Sequence, residues 1–362
     1  MKRAVTAFFF KVVTPSLAGL LTFAVLFNAV TAKAQLDPER AIEVKKVEGS
    51  FVSGSGVRTH YIKQGDGDTA IVFIHGFGGS TYSWRENLED LAHKYTVISL
   101  DVRGFGYTSR DPAAEYSPRG YATHVSTFLD ILGVRRPILV GHSLGGEVAM
   151  RIALQRPNDI AGLVLIDSAG LPMERRFQVP PVPQPLQTML LRLATSKRIV
   201  RAGLSQAFYD RSLVNDAMIA AYRDPLDVER AEEMLWRMIR TTAPQLNRSE
   251  LQQISIPTLI LWGKYDRLIP LRNGEELASL IKGARLVVLD RAGHIPQDER
   301  ADDVNALIDS FASVAGKPLP GQPKPITPPP RAGPSPLPSA SPSPSPTGRG
   351  VAPGPTGGLL SR

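Results

Sequence analysis

Six short β-rich runs punctuate the middle of the sequence, and amphipathic stretches separate them. The runs are TAIVFIHGF (69–77), YTVISLD (95–101), RPILVGHS (136–143), AGLVLIDSAG (161–170), IPTLILWGKYD (256–266) and ARLVVLDRAGH (284–294). Several are apolar without alternation, the pattern of strands buried on both faces. Between them SWRENLEDLAHK, SPRGYATHVSTFLDIL, LGGEVAMRIALQR, GEELASLI and DDVNALIDSFASV carry helical periodicity. Strand and helix alternating at this spacing predict a mostly parallel, doubly wound α/β sheet with helices on both sides. In such a sheet ligands bind in the crevice beyond the strand C-termini. A hairpin, FVSGSGVRTHYIKQGDGD (51–68), is expected to lead into the first run.

One interval departs from the rhythm. From Ala169 to Ile254 no clear strand occurs; a proline cluster, LPMERRFQVPPVPQP, opens it, and helical stretches LQTMLLRLATSKRIVRAGL and DVERAEEMLWRMIRTT follow. An insertion of this kind is read as a helical cap, about 171–253, over the strand ends of a domain spanning 35–316. A separate second domain would need strands or a signature of its own.

The ends differ from the middle. Residues 1–34 hold Lys2, Arg3 and Lys11, then an apolar run from Val12 to Val30, then Ala32 and Ala34 in a small-x-small arrangement. That is the layout of a secretory signal peptide cleaved after Ala34, or of a membrane anchor if it is retained. The expectation is an exported protein, periplasmic or secreted, whose only membrane attachment would be that segment. Residues 317–362 are rich in Pro, Ser and Gly and poor in bulky apolar residues, so an extended, disordered tail is expected. Removing the four basic residues of 1–34 and the five of 317–362 takes the net charge from +8 to about −1. The basic balance is therefore no sign of a nucleic-acid partner. With no cysteine, disulfides, thiolate nucleophiles and Cys-ligated metals are excluded.

Chemistry concentrates at GHSLGG (141–146), which runs directly from a buried strand into a helix. Gly141-His142-Ser143-Leu144-Gly145 is a G-x-S-x-G pattern in the context that gives it meaning: a serine lifted above the sheet on a sharp turn. Ser143 is the candidate nucleophile. A nucleophilic serine needs a base, and the base an orienting carboxylate. His294, in the loop after the last strand, is the candidate base. His93 and His124 fall in helical patterns, and His142 points elsewhere on the turn. Asp266 is preferred as the acid, in the chain order Ser, acid, His; Asp167, one strand after the serine's helix, is the other candidate or a strand-end hydrogen bonder. The oxyanion donors are expected to be the N–H groups of Leu144 and of Phe77, the latter in the glycine-rich loop 75–79.

HGFGGSTYSWR, DVRGFGYTS, GHSLGG, LWGKYDRLIP and AGHIPQDE, in this order, resemble the α/β-hydrolase fold superfamily, and more narrowly its capped esterase and carbon–carbon hydrolase branch. The resemblance, over about residues 45–315, implies a triad of Ser143, Asp266 and His294, oxyanion-hole residues Phe77 and Leu144, and a loop-organising role for Arg103. Members with an aspartate at the elbow are haloalkane dehalogenases and epoxide hydrolases; serine argues against both. Where the family has a proline two positions after Glu299, this chain has Ala301.

The function expected is hydrolysis of a small-molecule carboxylic ester with an apolar acyl part, through an acyl-enzyme, without a metal or organic cofactor. Carbon–carbon bond hydrolysis and perhydrolysis use the same residues and stay open. So does a non-catalytic ligand-binding role on the same fold. Met189, Leu190, Phe208, Tyr209, Trp236 and Met238 of the cap fit either an acyl pocket or helix packing.

Overall fold

A computed structural model describes residues 41–42, 47–172, 196–241 and 245–315. The expected signal segment, the tail and the cap residues Met189 and Leu190 lie outside the described residues. Two compact units divide the chain at Pro328, and every described residue belongs to the first.

Eight strands form one sheet: β1 (Ser50–Gly54), β2 (Val57–Gln64), β3 (Ala70–Ile74), β4 (Thr96–Leu100), β5 (Ile138–His142), β6 (Gly162–Ile166), β7 (Thr258–Gly263) and β8 (Arg285–Leu289). Their spatial order is β1-β2-β4-β3-β5-β6-β7-β8. β2 runs antiparallel to both β1 and β4, and every other pairing is parallel. Two residues, Ser55 and Gly56, close the β1–β2 hairpin, with φ of 49° and 75° as a primed turn requires. Parallel neighbours need crossovers, which the helices supply.

Alternate residues of each strand feed opposite faces. Val72, Ile74, Leu139, Leu163 and Ile260 pack against α2 (Pro118–Ile131), α3 (Leu144–Gln155) and α8 (Leu271–Leu280). Ile71, Phe73, Val140, Val164 and Leu261 meet α1 (Arg85–Ala92) and α10 (Ala301–Ala315) on the other side. Strands β5, β6 and β7 are buried along their whole length. β8 departs from the both-faces-buried pattern, with Val288 41% exposed, because it is the sheet edge.

Between β6 and β7 the described residues contain no strand. They form α4 (Lys197–Ala207), α5 (Asp216–Arg223), α6 (Ala231–Arg240) and α7 (Arg248–Leu251). Val200, Leu204, Met218, Ile219 and Met234 of these helices join the same apolar cluster as α2 and α3. Leu204 and Ala207 of α4 and Tyr222 of α5 share one cavity wall with Ser143 and His294, so these two helices lie over the strand ends.

Candidate active site

The turn at Ser143 is built by what lies around it. Ser143 caps α3 with φ 51° and ψ −118°, a left-handed conformation that costs a non-glycine residue of order 1–3 kcal/mol. Hydrogen bonds hold it there: its N–H donates to the Ile166 carbonyl (2.9 Å), and its carbonyl accepts from Gly146 (3.0 Å) and Ala169 (2.9 Å). The flanking glycines follow from packing. A Cβ at Gly145 would lie 2.1 Å from the Ile74 carbonyl oxygen, and one at Gly141 2.4 Å from that of Gly145.

The glycine loop after β3 comes equally close. A Cβ at Gly76 would sit 3.0 Å from Ser143 Cβ, so this loop meets the elbow backbone-first. Gly79 N–H closes its turn on the Gly76 carbonyl at 3.1 Å. His75 anchors it from below: Nδ1–H donates to the Gly76 carbonyl (2.7 Å), while Nε2 accepts from Val102 N–H (3.0 Å). Burial lowers the His75 pKa, consistent with a neutral ring in that tautomer. Among the described residues no hydrogen bond engages the N–H of Phe77 or of Leu144.

His294 and Asp266 stand together. His294 Nδ1 is 2.7 Å from Asp266 Oδ2, and the other oxygen, Oδ1, accepts from Leu268 N–H (2.7 Å) and Ile269 N–H (3.0 Å). His294 Nε2 is buried and makes no hydrogen bond. Of the two candidate acids, the imidazole hydrogen-bonds Asp266. Asp167 lies alongside with φ 41°, accepting from Gly263 N–H at 3.0 and 3.2 Å.

The His294 loop is tied to the cap. His294 N–H donates to the Ala207 carbonyl at the end of α4 (2.7 Å). The Glu299 carboxylate accepts from Gly293 N–H (2.7 Å), Tyr209 N–H (2.6 Å) and Asp210 N–H (3.0 Å).

Ser143, His294 and Phe77 line one cavity of about 570 Å³, including its open mouth, with Ser83, Leu204, Ala207, Tyr222, Leu268 and Ile295. His142 lines it too, which corrects the expectation that its ring points elsewhere. Its Nε2–H donates to the His294 carbonyl at 2.7 Å, and burial, with His294 next, holds its pKa well below the usual imidazole value. Phe208, Tyr209, Trp236 and Met238 are not among the lining residues: Phe208 is fully buried, and Tyr209 is 37% exposed. Leu204, Ala207 and Tyr222 take that place. The backbone N–H of Arg103, in the loop after β4, donates to Nδ1 of His124 on α2 (3.2 Å).

Chemically, the arrangement can take a proton from a hydroxyl, orient the resulting imidazolium, and offer two backbone donors to a developing oxyanion. The sequence model of a family described as "alpha/beta hydrolase fold" matches residues 69–301. An uncharacterized hydrolase, YugF, of Bacillus subtilis (strain 168) is 30% identical over 258 residues, covering 71% of this chain and 94% of that protein. A 2-hydroxymuconate semialdehyde hydrolase of Pseudomonas putida is 28% identical over 290 residues, 77% of this chain and 97% of the relative. Among solved structures, a mutant of the meta-cleavage product hydrolase CumD from Pseudomonas fluorescens IP01, complexed with acetates, is similar at a TM-score of 0.63. It is 27% identical and covers 74% of this chain and 98% of its own.

Proposed function

This chain belongs to the α/β-hydrolase family, and from that premise we propose that it hydrolyses carboxylic esters through an acyl-enzyme on Ser143. The observation that carries the reading is the pairing, on one cavity, of a hydroxyl on a strained elbow with a buried imidazole whose Nε2 has no partner. Its Nδ1 is already bonded to a carboxylate. In apo structures such serine–base contacts are commonly loose and tighten when substrate binds.

In this mechanism His294 Nε2 takes the Ser143 proton as the hydroxyl attacks the ester carbonyl. The N–H groups of Phe77 and Leu144 receive the charge that builds on the carbonyl oxygen. His294 then gives the proton to the departing alcohol, and water repeats the sequence to release the acid. Asp266, through its bond to Nδ1, holds the imidazole in one tautomer.

The substrate class follows from the wall. Among the described residues lining the cavity there is no Lys or Arg. Phe77, Leu204, Leu268 and Ile295 suit an uncharged, apolar acyl group. Carbon–carbon hydrolysis of an unsaturated keto acid is the second reading, supported by the named activity of the P. putida relative; a carboxylate substrate would want a cation in that wall. Export, through the N-terminal segment, is part of the proposal and rests on the sequence.

The test uses protein beginning at residue 35 with p-nitrophenyl esters of increasing chain length, beside Ser143→Ala. Turnover that vanishes in the variant is expected. Fluorophosphonate labelling at Ser143 without ester turnover would favour the carbon–carbon reading, and neither labelling nor turnover a binding protein.

A further inference from the structure

Asp167 is a second buried acid beside the one that holds His294, and the mechanism above gives it no task. It is the residue just after β6, is 0% exposed, and lies beside the neighbouring strand β7. Ligand-type atoms of Asp167, Asp266 and His294 all fall within 4.8 Å of one another. Among the described residues no lysine or arginine forms an ion pair with either carboxylate.

Two carboxylates this close and away from water cannot both be charged. Which one keeps the proton follows from their donors. Asp266 accepts three N–H groups, from Leu268, Ile269 and the His294 ring. Asp167 has one, Gly263 N–H, divided between its two oxygens. The proton therefore belongs on Asp167. Burial first, then the Asp266 charge, with a smaller push from Glu299, raises the Asp167 acid well above the usual carboxylate range, while Gly263 N–H opposes.

We propose that Asp167 is a positioning residue: as a neutral acid it donates its O–H to the Asp266 carboxylate, and it stands as a substitute carboxylate for His294 when Asp266 is lost. The inference rests on the esterase reading above. With the O–H in place, Asp266 is held by four donors and has little freedom to turn away from the imidazole. The groups that face Asp167 are Asp266, His294 and Glu299, so its ionisation is governed within this one cluster.

Five proteins test it by steady-state ester hydrolysis across pH: wild type, Asp167→Ala, Asp167→Asn, Asp266→Asn and the double asparagine variant. Asp167→Ala is expected to lower kcat about tenfold with little change in KM, and Asp167→Asn, whose amide still donates, to recover most of that loss. Asp266→Asn is expected to keep about 100-fold more activity than the double variant, which falls by about 10⁴ from wild type. The single variant's activity should climb with pH as Asp167 ionises, a limb that the double variant lacks. Equal rates for Asp266→Asn and the double variant overturn the proposal. So does Asp167→Asn as slow as Asp167→Ala, or activity lost to a chelator and restored by zinc, which would put a cation where the proton is placed. Should Asp167→Ala fail to fold, the asparagine pair alone decides. Wild type that neither turns over ester nor takes a fluorophosphonate at Ser143 overturns the esterase reading instead.

Discussion

Among the described residues, two buried aspartate–histidine pairs have nearly the same dimensions. His60 Nδ1 lies 2.6 Å from Asp101 Oδ2, and His294 Nδ1 lies 2.7 Å from Asp266 Oδ2. In both, backbone N–H groups fill the remaining carboxylate positions: Thr81 and Tyr107 for Asp101, Leu268 and Ile269 for Asp266. The difference lies on the far side of the ring. His60 Nε2 faces the Glu48 carbonyl at 3.2 Å, whereas His294 Nε2 has no partner and its residue lines a cavity with Ser143. An imidazole with both nitrogens occupied is a brace, tying the β1–β2 hairpin to the loop after β4. One with a free nitrogen beside a hydroxyl is equipped to carry a proton. Pair geometry alone does not make a site; the unoccupied atom does.

Exchanging what each pair loses would break or sharpen that comparison. The largest effect expected is from His294→Gln, which keeps a donor for Asp266 and removes the base: kcat falls by about 10⁴ or more. Its urea midpoint should correspond to less than about 1 kcal/mol of lost stability. His60→Ala should do the reverse, since it leaves Asp101 buried and unpaired. About 3–5 kcal/mol of stability is expected to go, with kcat of the folded fraction within about tenfold of wild type. If His60→Ala instead abolishes activity at full stability, the two pairs are not distinct in kind.

Another acid, Asp298, with its side chain 2% exposed, gives a smaller and pH-dependent effect. It pairs with Arg85 at 3.1 Å, yet burial outweighs that attraction and pushes its pKa up to about 6. A folded value above the unfolded one means the native state holds the proton more tightly. Its stabilising contribution is complete below about pH 4 and is lost as pH rises through about 6. At 1.36 kcal/mol per unit this is about 3 kcal/mol. Asp298→Asn should remove that slope from urea midpoints measured at pH 4, 5 and 6. Smallest of all, Tyr222→Phe deletes a hydroxyl 3.4 Å from Ser83 Oγ and should change KM by less than about threefold.

The parallel strands and the Ser143, Asp266 and His294 positions were legible because each rests on local pattern: apolar runs, a glycine on either side of a serine, and an acid or histidine just past a strand. The brace between His60 and Asp101 was not, since its partners are 41 residues apart and no motif joins them. The direction of His142 depends on a carbonyl 152 residues away. Cap residues Leu204, Ala207 and Tyr222 escaped for another reason. An apolar helical stripe reads the same whether it meets a core or the wall of a cavity.

The bonds of Glu299 and Ala207 make the base depend on the cap. The end of α4 and the loop of His294 share them, so whatever lifts one unseats the other. A displacement of residues 207–210 would take the base out of register with Ser143, so the seat of α4 sets whether His294 can act.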